Sequence, residues 1–116
     1  MKPQPRSSPP SVRRPGRSVS IVGTGSYVPE RVLTNEELSA LVDTTDEWIT
    51  TRTGINTRRI AAKDEHTSDM AARAAMAALE QAEVKPEEID LILLATASPD
   101  MIFPATACFV QTKIRW

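Results

Sequence analysis

The fold class is decided by one apolar run near the end of the chain, DLILLATAS at residues 90–98. Apolar residues occupy both alternating faces of this run, as in a strand that is covered on both sides. Before it, from Thr67 or Ser68 to about Glu83, apolar positions recur at i, i+3 and i+4, which predicts the longest helix. A first strand is predicted at SVSIVG, residues 18–23. This order of strand, helices and buried strand indicates an α/β fold.

Shorter elements lie around these. A capping-box pattern, Thr34-x-x-Glu37, begins a predicted helix over residues 34–42, and residues 56–61 form a short exposed strand. Pro86 begins a single helical turn, and a final helix begins near Ala105. With only two clear strands the sheet has unpaired edges, so the sequence is interpreted as a fragment.

Charge and composition restrict the class of protein. A length of 116 residues allows at most one domain, and the composition, with a formal net charge of −1, is that of an ordinary globular protein. Residues 19–116 carry nine basic and 15 acidic residues, which argues against nucleic acid as a partner. The single cysteine, Cys108, excludes an internal disulfide and fits a reducing compartment, so a cytoplasmic location is expected. No apolar run approaches the ~20 residues of a membrane span, so no membrane partner is predicted.

The first 18 residues form a segment rich in proline, arginine and serine. They hold five of the nine prolines and five basic residues, with no acidic residue and no apolar periodicity. Such a composition predicts a disordered tail. A secretory signal is excluded because there is no apolar central region. A transit peptide, a dispensable tail and an upstream start codon remain open interpretations.

The candidate binding site is the stretch DTTDEWITTRTGI at residues 43–55. Thr44-x-x-Glu47 is read as a capping box, which predicts a helix of about two turns. Trp48 and Arg52 stand at i and i+4 and therefore share one face. A flat ring beside a guanidinium suits stacking on a base and holding a phosphate. The structural alternative, a buried tryptophan and a solvated arginine, stays open on spacing alone.

Two other motifs are weaker. Gly23-Thr24-Gly25 resembles the start of a dinucleotide fingerprint, but Val28 replaces the third glycine and Pro29 prevents a helix from beginning there. The two glycines are instead predicted to serve a tight backbone passage. His66, the single histidine, lies in a polar loop after two acidic residues and is expected to be solvated. No metal site is predicted.

Three motifs together carry a resemblance to a known family. GTGSYVP at residues 23–29, DEWITTRTGI at 46–55 and FPATAC at 103–108 occur in this order. They resemble beta-ketoacyl-acyl-carrier-protein synthase III, the condensing enzyme that starts type II fatty acid synthesis. The resemblance extends from about residue 21 to residue 114 and covers about the first third of a family member. Residues 19–116 are therefore interpreted as the N-terminal part of a truncated synthase domain.

The resemblance implies a thiolase-like fold, in which this chain supplies the N-terminal portion of a layered α/β/α domain with an incomplete mixed sheet. Family members are usually homodimers. They transfer an acyl group, typically acetyl from acetyl-CoA, onto a cysteine and condense it with malonyl-acyl-carrier-protein, with loss of carbon dioxide. A Cys-His-Asn set performs the reaction. No cofactor is expected, since acyl-CoA is a substrate.

The resemblance also assigns residues. Trp48 matches the tryptophan that stacks on the adenine of CoA, Arg52 the arginine beside it at the CoA entrance, and Thr44 a threonine near the adenine edge. Phe103 matches a phenylalanine that enters the dimer partner's acyl-primer pocket. Cys108 matches a packing cysteine, because the catalytic cysteine belongs to an Ala-Cys-x-Gly-Phe-type motif that these 116 residues do not contain. No catalytic residue is therefore assigned, and the chain alone is expected to be inactive.

Two alternatives remain. One is a fragment of another thiolase-superfamily starter synthase, such as an alkylquinolone or polyketide enzyme. The other is a non-catalytic dimerisation module that pairs with an intact synthase. Arg115-Trp116 depart from the family, where a glycine commonly follows the helix; a truncated gene, a frameshift and an incomplete contig are the open interpretations.

Overall fold

The computed structural model describes residues 18–115, and the elements follow one another along this range. They are β1 (Arg31–Thr34), α1 (Asn35–Ser39), α2 (Asp46–Thr53), β2 (Thr57–Ile60), α3 (Thr67–Ala82), a 3-10 turn (Pro86–Glu88) and α4 (Thr106–Ile114). Helices with a small sheet confirm the predicted partial α/β class. Apart from Ser18, the tail predicted to be disordered lies outside the described residues.

The sheet is a single antiparallel pair. β1 lies beside β2, with Arg31 opposite Ile60 and Thr34 opposite Thr57. The strand predicted at residues 56–61 is therefore confirmed. β1 was not predicted, because in its four residues only Leu33 is buried and no alternation of apolar residues marks it.

Helix α1 follows β1 directly. The Thr34 hydroxyl accepts from the Glu37 amide at 3.1 Å, and the Glu37 carboxylate accepts from the Thr34 amide at 3.0 Å, so the predicted capping box is confirmed. The helix ends at Ser39, before the predicted end at Val42. Leu41 is 73% exposed, and apolar packing therefore does not extend the helix further.

The apolar core lies between α3 and α4. Ala72, Val110 and Ile114 are buried together, and Ile92 and Leu94 pack against them. The small side chains on α3 allow this close approach, as the alanine-rich pattern predicted. None of the helices within residues 18–115 is long and apolar enough to cross a membrane.

The N-terminus of α3 begins one residue earlier than the predicted cap. His66 is the cap residue, and its amide donates to the Asp69 carboxylate at 2.9 Å. Thr67 and Ser68, the predicted caps, make tertiary contacts instead: the Thr67 hydroxyl donates to the Ser98 carbonyl at 2.6 Å, and Ser68 is fully buried. The prediction was wrong because local spacing does not show which hydroxyls tertiary partners occupy.

A polar network ties α3 to α4 and to the loop between residues 98 and 106. Lys113 Nζ donates to Ser68 Oγ at 2.6 Å and to Asp69 Oδ1 at 2.5 Å. The Asp100 carboxylate accepts from the Ser68 amide at 2.9 Å. The hydrogen bond from Lys113, followed by that from the His66 amide, lowers the pKa of Asp69 to about 2. The Asp69 carboxyl is therefore ionised at neutral pH.

The two principal strand predictions are wrong in this structure. Neither residues 18–23 nor residues 90–98 belong to a β-ladder within the described part of the chain. Leu91 and Leu93 are 68% and 86% exposed, whereas Ile92 and Leu94 pack on the core, so only one face of the second run is covered. A strand needs a hydrogen-bonded neighbour, and residues 18–115 place none beside these runs.

The glycine motif passes closely over α3. A Cβ at Gly25 would lie 2.3 Å from the Ala74 carbonyl oxygen and 2.4 Å from the Ala78 amide nitrogen. The Thr24 amide donates to the Gln81 side chain at 2.6 Å. The predicted tight backbone passage is confirmed, and no helix begins after these glycines, which agrees with rejecting the dinucleotide motif.

Candidate functional site

Helix α2 carries the candidate site, and its cap differs from the prediction by one residue. Thr45 Oγ1 accepts from the Trp48 amide at 3.1 Å, so Thr45 caps the helix and the box predicted at Thr44 does not form. Adjacent threonines offer the same group, and spacing alone could not choose between them. The helix ends at Gly54, whose φ of 70° is left-handed and whose amide donates to the Thr50 carbonyl at 2.9 Å.

Trp48 and Arg52 form a contact on the solvent-facing side of α2. The Arg52 guanidinium carbon lies 4.9 Å from the centre of the Trp48 ring. Trp48 is 55% exposed, so the alternative of a buried tryptophan is wrong. The predicted shared face is confirmed. An exposed aromatic surface beside a fixed cation can accept a second flat ring and an anion.

Two shallow grooves meet at Trp48. One of about 430 Å³ is lined by Asp43, Thr44, Thr45 and Trp48. The other, about 320 Å³, is lined by Thr45, Glu47, Trp48, Thr51 and Arg52. The structure thus places two predicted residues, Thr44 and Arg52, in the grooves beside the ring of the third, Trp48. A larger groove of about 780 Å³ lies along α3 and contains none of the three.

A polar support beneath α2 was missed by sequence reasoning. Asn35 is only 2% exposed, and its amide nitrogen donates to Asp46 Oδ1 at 2.6 Å and to the Ile55 carbonyl at 2.9 Å. Its amide oxygen accepts from Arg58 of β2. The only local signal was an asparagine immediately after the helix cap, where most side chains are solvated.

Phe103, the fourth predicted site residue, lines neither of the two grooves at Trp48. It is on the loop that precedes α4 and is 85% exposed. The neighbouring Ile102 is fully exposed as well. The two side chains form an apolar tip on a loop held by the Asp100 and Ser68 contact.

The single cysteine and the single histidine lie on different elements. Cys108 is a free, exposed thiol, so the prediction that it serves packing is wrong: Val110 and Ile114 supply the buried face of α4. The His66 side chain is 59% exposed, with Nδ1 3.5 Å from Asp69. No hydrogen bond within residues 18–115 joins Cys108 to His66. No group of three potential metal ligands occurs in this described range.

Sequence comparison finds close relatives over most of the chain. The chain is 60% identical to a beta-ketoacyl-acyl-carrier-protein synthase III of Clostridium acetobutylicum over 97 residues. This aligned segment covers 84% of this chain and 30% of the relative. It is 57% identical over 97 residues to the protein of the same name from Caldanaerobacter subterraneus, covering 84% and 29%. The chain thus spans about 30% of the length of the curated relatives that it matches. No protein-family model matches it.

Solved structures agree with these relatives. A 3-oxoacyl-acyl-carrier-protein synthase III from Aquifex aeolicus matches with a TM-score of 0.78 and 57% identity, covering 82% of this chain and 30% of that one. A priming beta-ketosynthase of a polyketide biosynthetic pathway matches with a TM-score of 0.81 and 39% identity, covering 91% and 32%.

Proposed function

Since the matched segment belongs to the beta-ketoacyl-acyl-carrier-protein synthase III family and shares its thiolase-like α/β fold, we propose that it holds the nucleotide end of an acyl-CoA. In the whole synthase this segment would serve the condensation of acetyl-CoA, or another acyl-CoA primer, with malonyl-acyl-carrier-protein. Because the fold also resembles that of a polyketide priming ketosynthase, the proposal does not specify which acyl group the CoA carries.

The observation that carries the proposal is the exposed contact between Trp48 and Arg52, 4.9 Å from guanidinium carbon to ring centre. The adenine of CoA would stack on the Trp48 ring, and Arg52 would bind a phosphate of the same nucleotide. Thr44 lines the groove at the ring edge, where its hydroxyl can bond to the base.

Affinity for the isolated nucleotide end should be low. Stacking of one base contributes roughly 1–3 kcal/mol, and a hydrogen bond to a charged group roughly 1.5–3 kcal/mol. Their sum corresponds to a dissociation constant on the order of millimolar. Shallow grooves with few converging walls are consistent with this range.

The chain itself is proposed to lack condensing activity. The reaction needs a cysteine nucleophile with histidine and asparagine partners. Cys108 is the single cysteine of the sequence, and no side-chain hydrogen bond within residues 18–115 supplies it with a base. The segment therefore keeps a binding surface for the substrate without an assembled catalytic set.

Titration of the 116-residue chain with CoA and with pantetheine, which lacks the nucleotide, tests this proposal. We expect CoA to shift the Trp48 indole N–H resonance with a dissociation constant on the order of millimolar. Pantetheine should leave that resonance in place, because it carries neither base nor 3′-phosphate. Trp116→Phe assigns the resonance. Equal shifts with both ligands, or none with CoA, would reject nucleotide binding; turnover of acetyl-CoA with malonyl-acyl-carrier-protein by the chain would reject its inactivity.

A second candidate function is a non-catalytic module that pairs with an intact synthase. The observation that favours it is the exposed apolar tip at Ile102 and Phe103. In the family Phe103 would enter the partner's primer pocket, and burial of such a side chain stabilises an interface by roughly 1.5–3 kcal/mol.

Co-expression of the chain with an intact family synthase tests the pairing. We expect the two to co-elute from a sizing column and the variant Phe103→Asp to lose co-elution. Leu41→Asp is the matched control, because Leu41 is also a large, exposed apolar residue but lies just after α1. Absence of co-elution with the unmodified chain, or equal co-elution of Phe103→Asp, rules out this role for Phe103.

A further inference from the structure

One buried side chain is bonded to both ends of the helix that carries Trp48. Asn35 donates to Asp46 at the first residue of α2, at 2.6 Å, and to the Ile55 carbonyl just beyond the last turn, at 2.9 Å. Its oxygen accepts from Arg58 on β2. Asn35 therefore links α1, α2 and the sheet through a single amide.

Apolar packing holds α2 only lightly. Ile49 is the one buried residue of this helix, whereas Trp48 and Arg52 point to solvent. A helix with one apolar anchor can rotate about it at little cost, because non-directional contacts do not define its orientation. Hydrogen bonds at both ends define that orientation, since each requires a particular distance and angle.

The chemistry of the position suits asparagine in particular. The carboxylate of Asp46 needs a hydrogen-bond donor, and the guanidinium of Arg58 needs an acceptor. The side chain between them must therefore both donate and accept. Aspartate of the same size would offer no donor and would place a second negative charge beside Asp46. Alanine would leave a cavity and several unpaired polar groups.

On the basis of the proposed CoA function, we propose that Asn35 is a positioning residue. It fixes the orientation of α2 and thereby the direction in which the Trp48 and Arg52 face meets the nucleotide of CoA. It does not touch the ligand itself.

The test uses Asn35→Asp in the 116-residue chain, with the CoA titration followed at the Trp48 indole resonance. We expect CoA to bind about 5-fold more weakly, the lower end of the range for losing a stacked base. Without ligand, the residual dipolar couplings of the α2 amides should show the helix turned relative to α1 and β2, because the side chain at position 35 no longer holds both ends of α2. A second variant, Asp46→Ala, changes an exposed residue and leaves the bonds from Asn35 to Ile55 and Arg58 intact. Asp46→Ala should also weaken CoA binding and change the orientation of α2.

Ser39→Ala is the matched control. The Ser39 hydroxyl donates to the Asn35 carbonyl at 2.8 Å, so this variant loses a hydrogen bond within α1 and, among residues 18–115, none to α2. We expect it to leave the orientation of α2 and the CoA affinity unchanged. All variants are compared at a temperature where circular dichroism shows them folded.

The outcomes separate the two proposals. Wild-type affinity and an unchanged orientation of α2 in both Asn35→Asp and Asp46→Ala would overturn the positioning role. Equal effects of Ser39→Ala on the orientation of α2 would overturn it as well. If the unmodified chain binds no CoA but Asn35→Asp still turns α2 relative to α1 and β2, the CoA function fails and the positioning role stands.

Discussion

Replacing Trp48 by alanine is expected to weaken CoA binding by roughly 5- to 150-fold, because base stacking on an aromatic ring contributes roughly 1–3 kcal/mol. The ring is half exposed and contributes little to the core, so the fold should persist. Titration followed by the amide resonances of α2 measures the change, since the indole signal is lost with the substitution. Trp48→Phe should retain part of the affinity, because a smaller ring still offers a flat surface.

Ile102→Ala provides the comparison for this variant. Ile102 is the most exposed large apolar side chain within residues 18–115, but it lies on the loop before α4. Its removal should leave CoA affinity unchanged. If Trp48→Ala binds CoA as well as the unmodified chain does, the stacking role is wrong, whatever binding remains elsewhere.

Gly25→Ala is expected to destabilise the chain by about 1–3 kcal/mol, as overpacking does. The added methyl would lie 2.3 Å from the Ala74 carbonyl oxygen and 2.4 Å from the Ala78 amide nitrogen, and both are backbone atoms that cannot rotate away. For a domain of this size the thermal midpoint should fall by roughly 5–20 °C. Circular dichroism at a helix-sensitive wavelength measures it.

Whether Gly25→Ala lowers or raises the stability of the chain distinguishes a close backbone passage from an open one. Without the close passage, Gly→Ala would stabilise by about 0.4–1 kcal/mol through the unfolded state. Ser26→Ala, an exposed neighbour, is the control and should change little. Hydrogen exchange at the Thr24 amide, which donates to Gln81, distinguishes local detachment of the segment from global unfolding. A thermal midpoint of Gly25→Ala at or above that of the unmodified chain would contradict the close passage of Gly25 over the α3 backbone.

The candidate site was largely predictable because its signals are local. Trp48 and Arg52 stand four residues apart, and helical geometry alone places them on one face. Their companion Thr44 lies nearby in sequence and lines the same groove. Asn35 was not predictable, because its partners Asp46, Ile55 and Arg58 lie 11 to 23 residues away.

The helices were predicted more successfully than the strands for the same reason. The capping box at Thr34, the alanine-rich face of α3 and the turn at Pro86 depend on neighbours within a few residues. The runs at residues 18–23 and 90–98 have the composition of strands, yet they form no ladder in the described range. A β-ladder depends on a second segment, and composition does not supply one.

The sequence by itself determined which stretches are helical, which residues share the face of α2 and, through three ordered motifs, the family to which the matched segment belongs. Only the tertiary structure decided that Trp48 is exposed rather than buried and that Asn35 links both ends of its helix. The physical reason is range. Helical periodicity and capping act over three or four residues, whereas burial, strand pairing and polar networks depend on segments that only folding brings together.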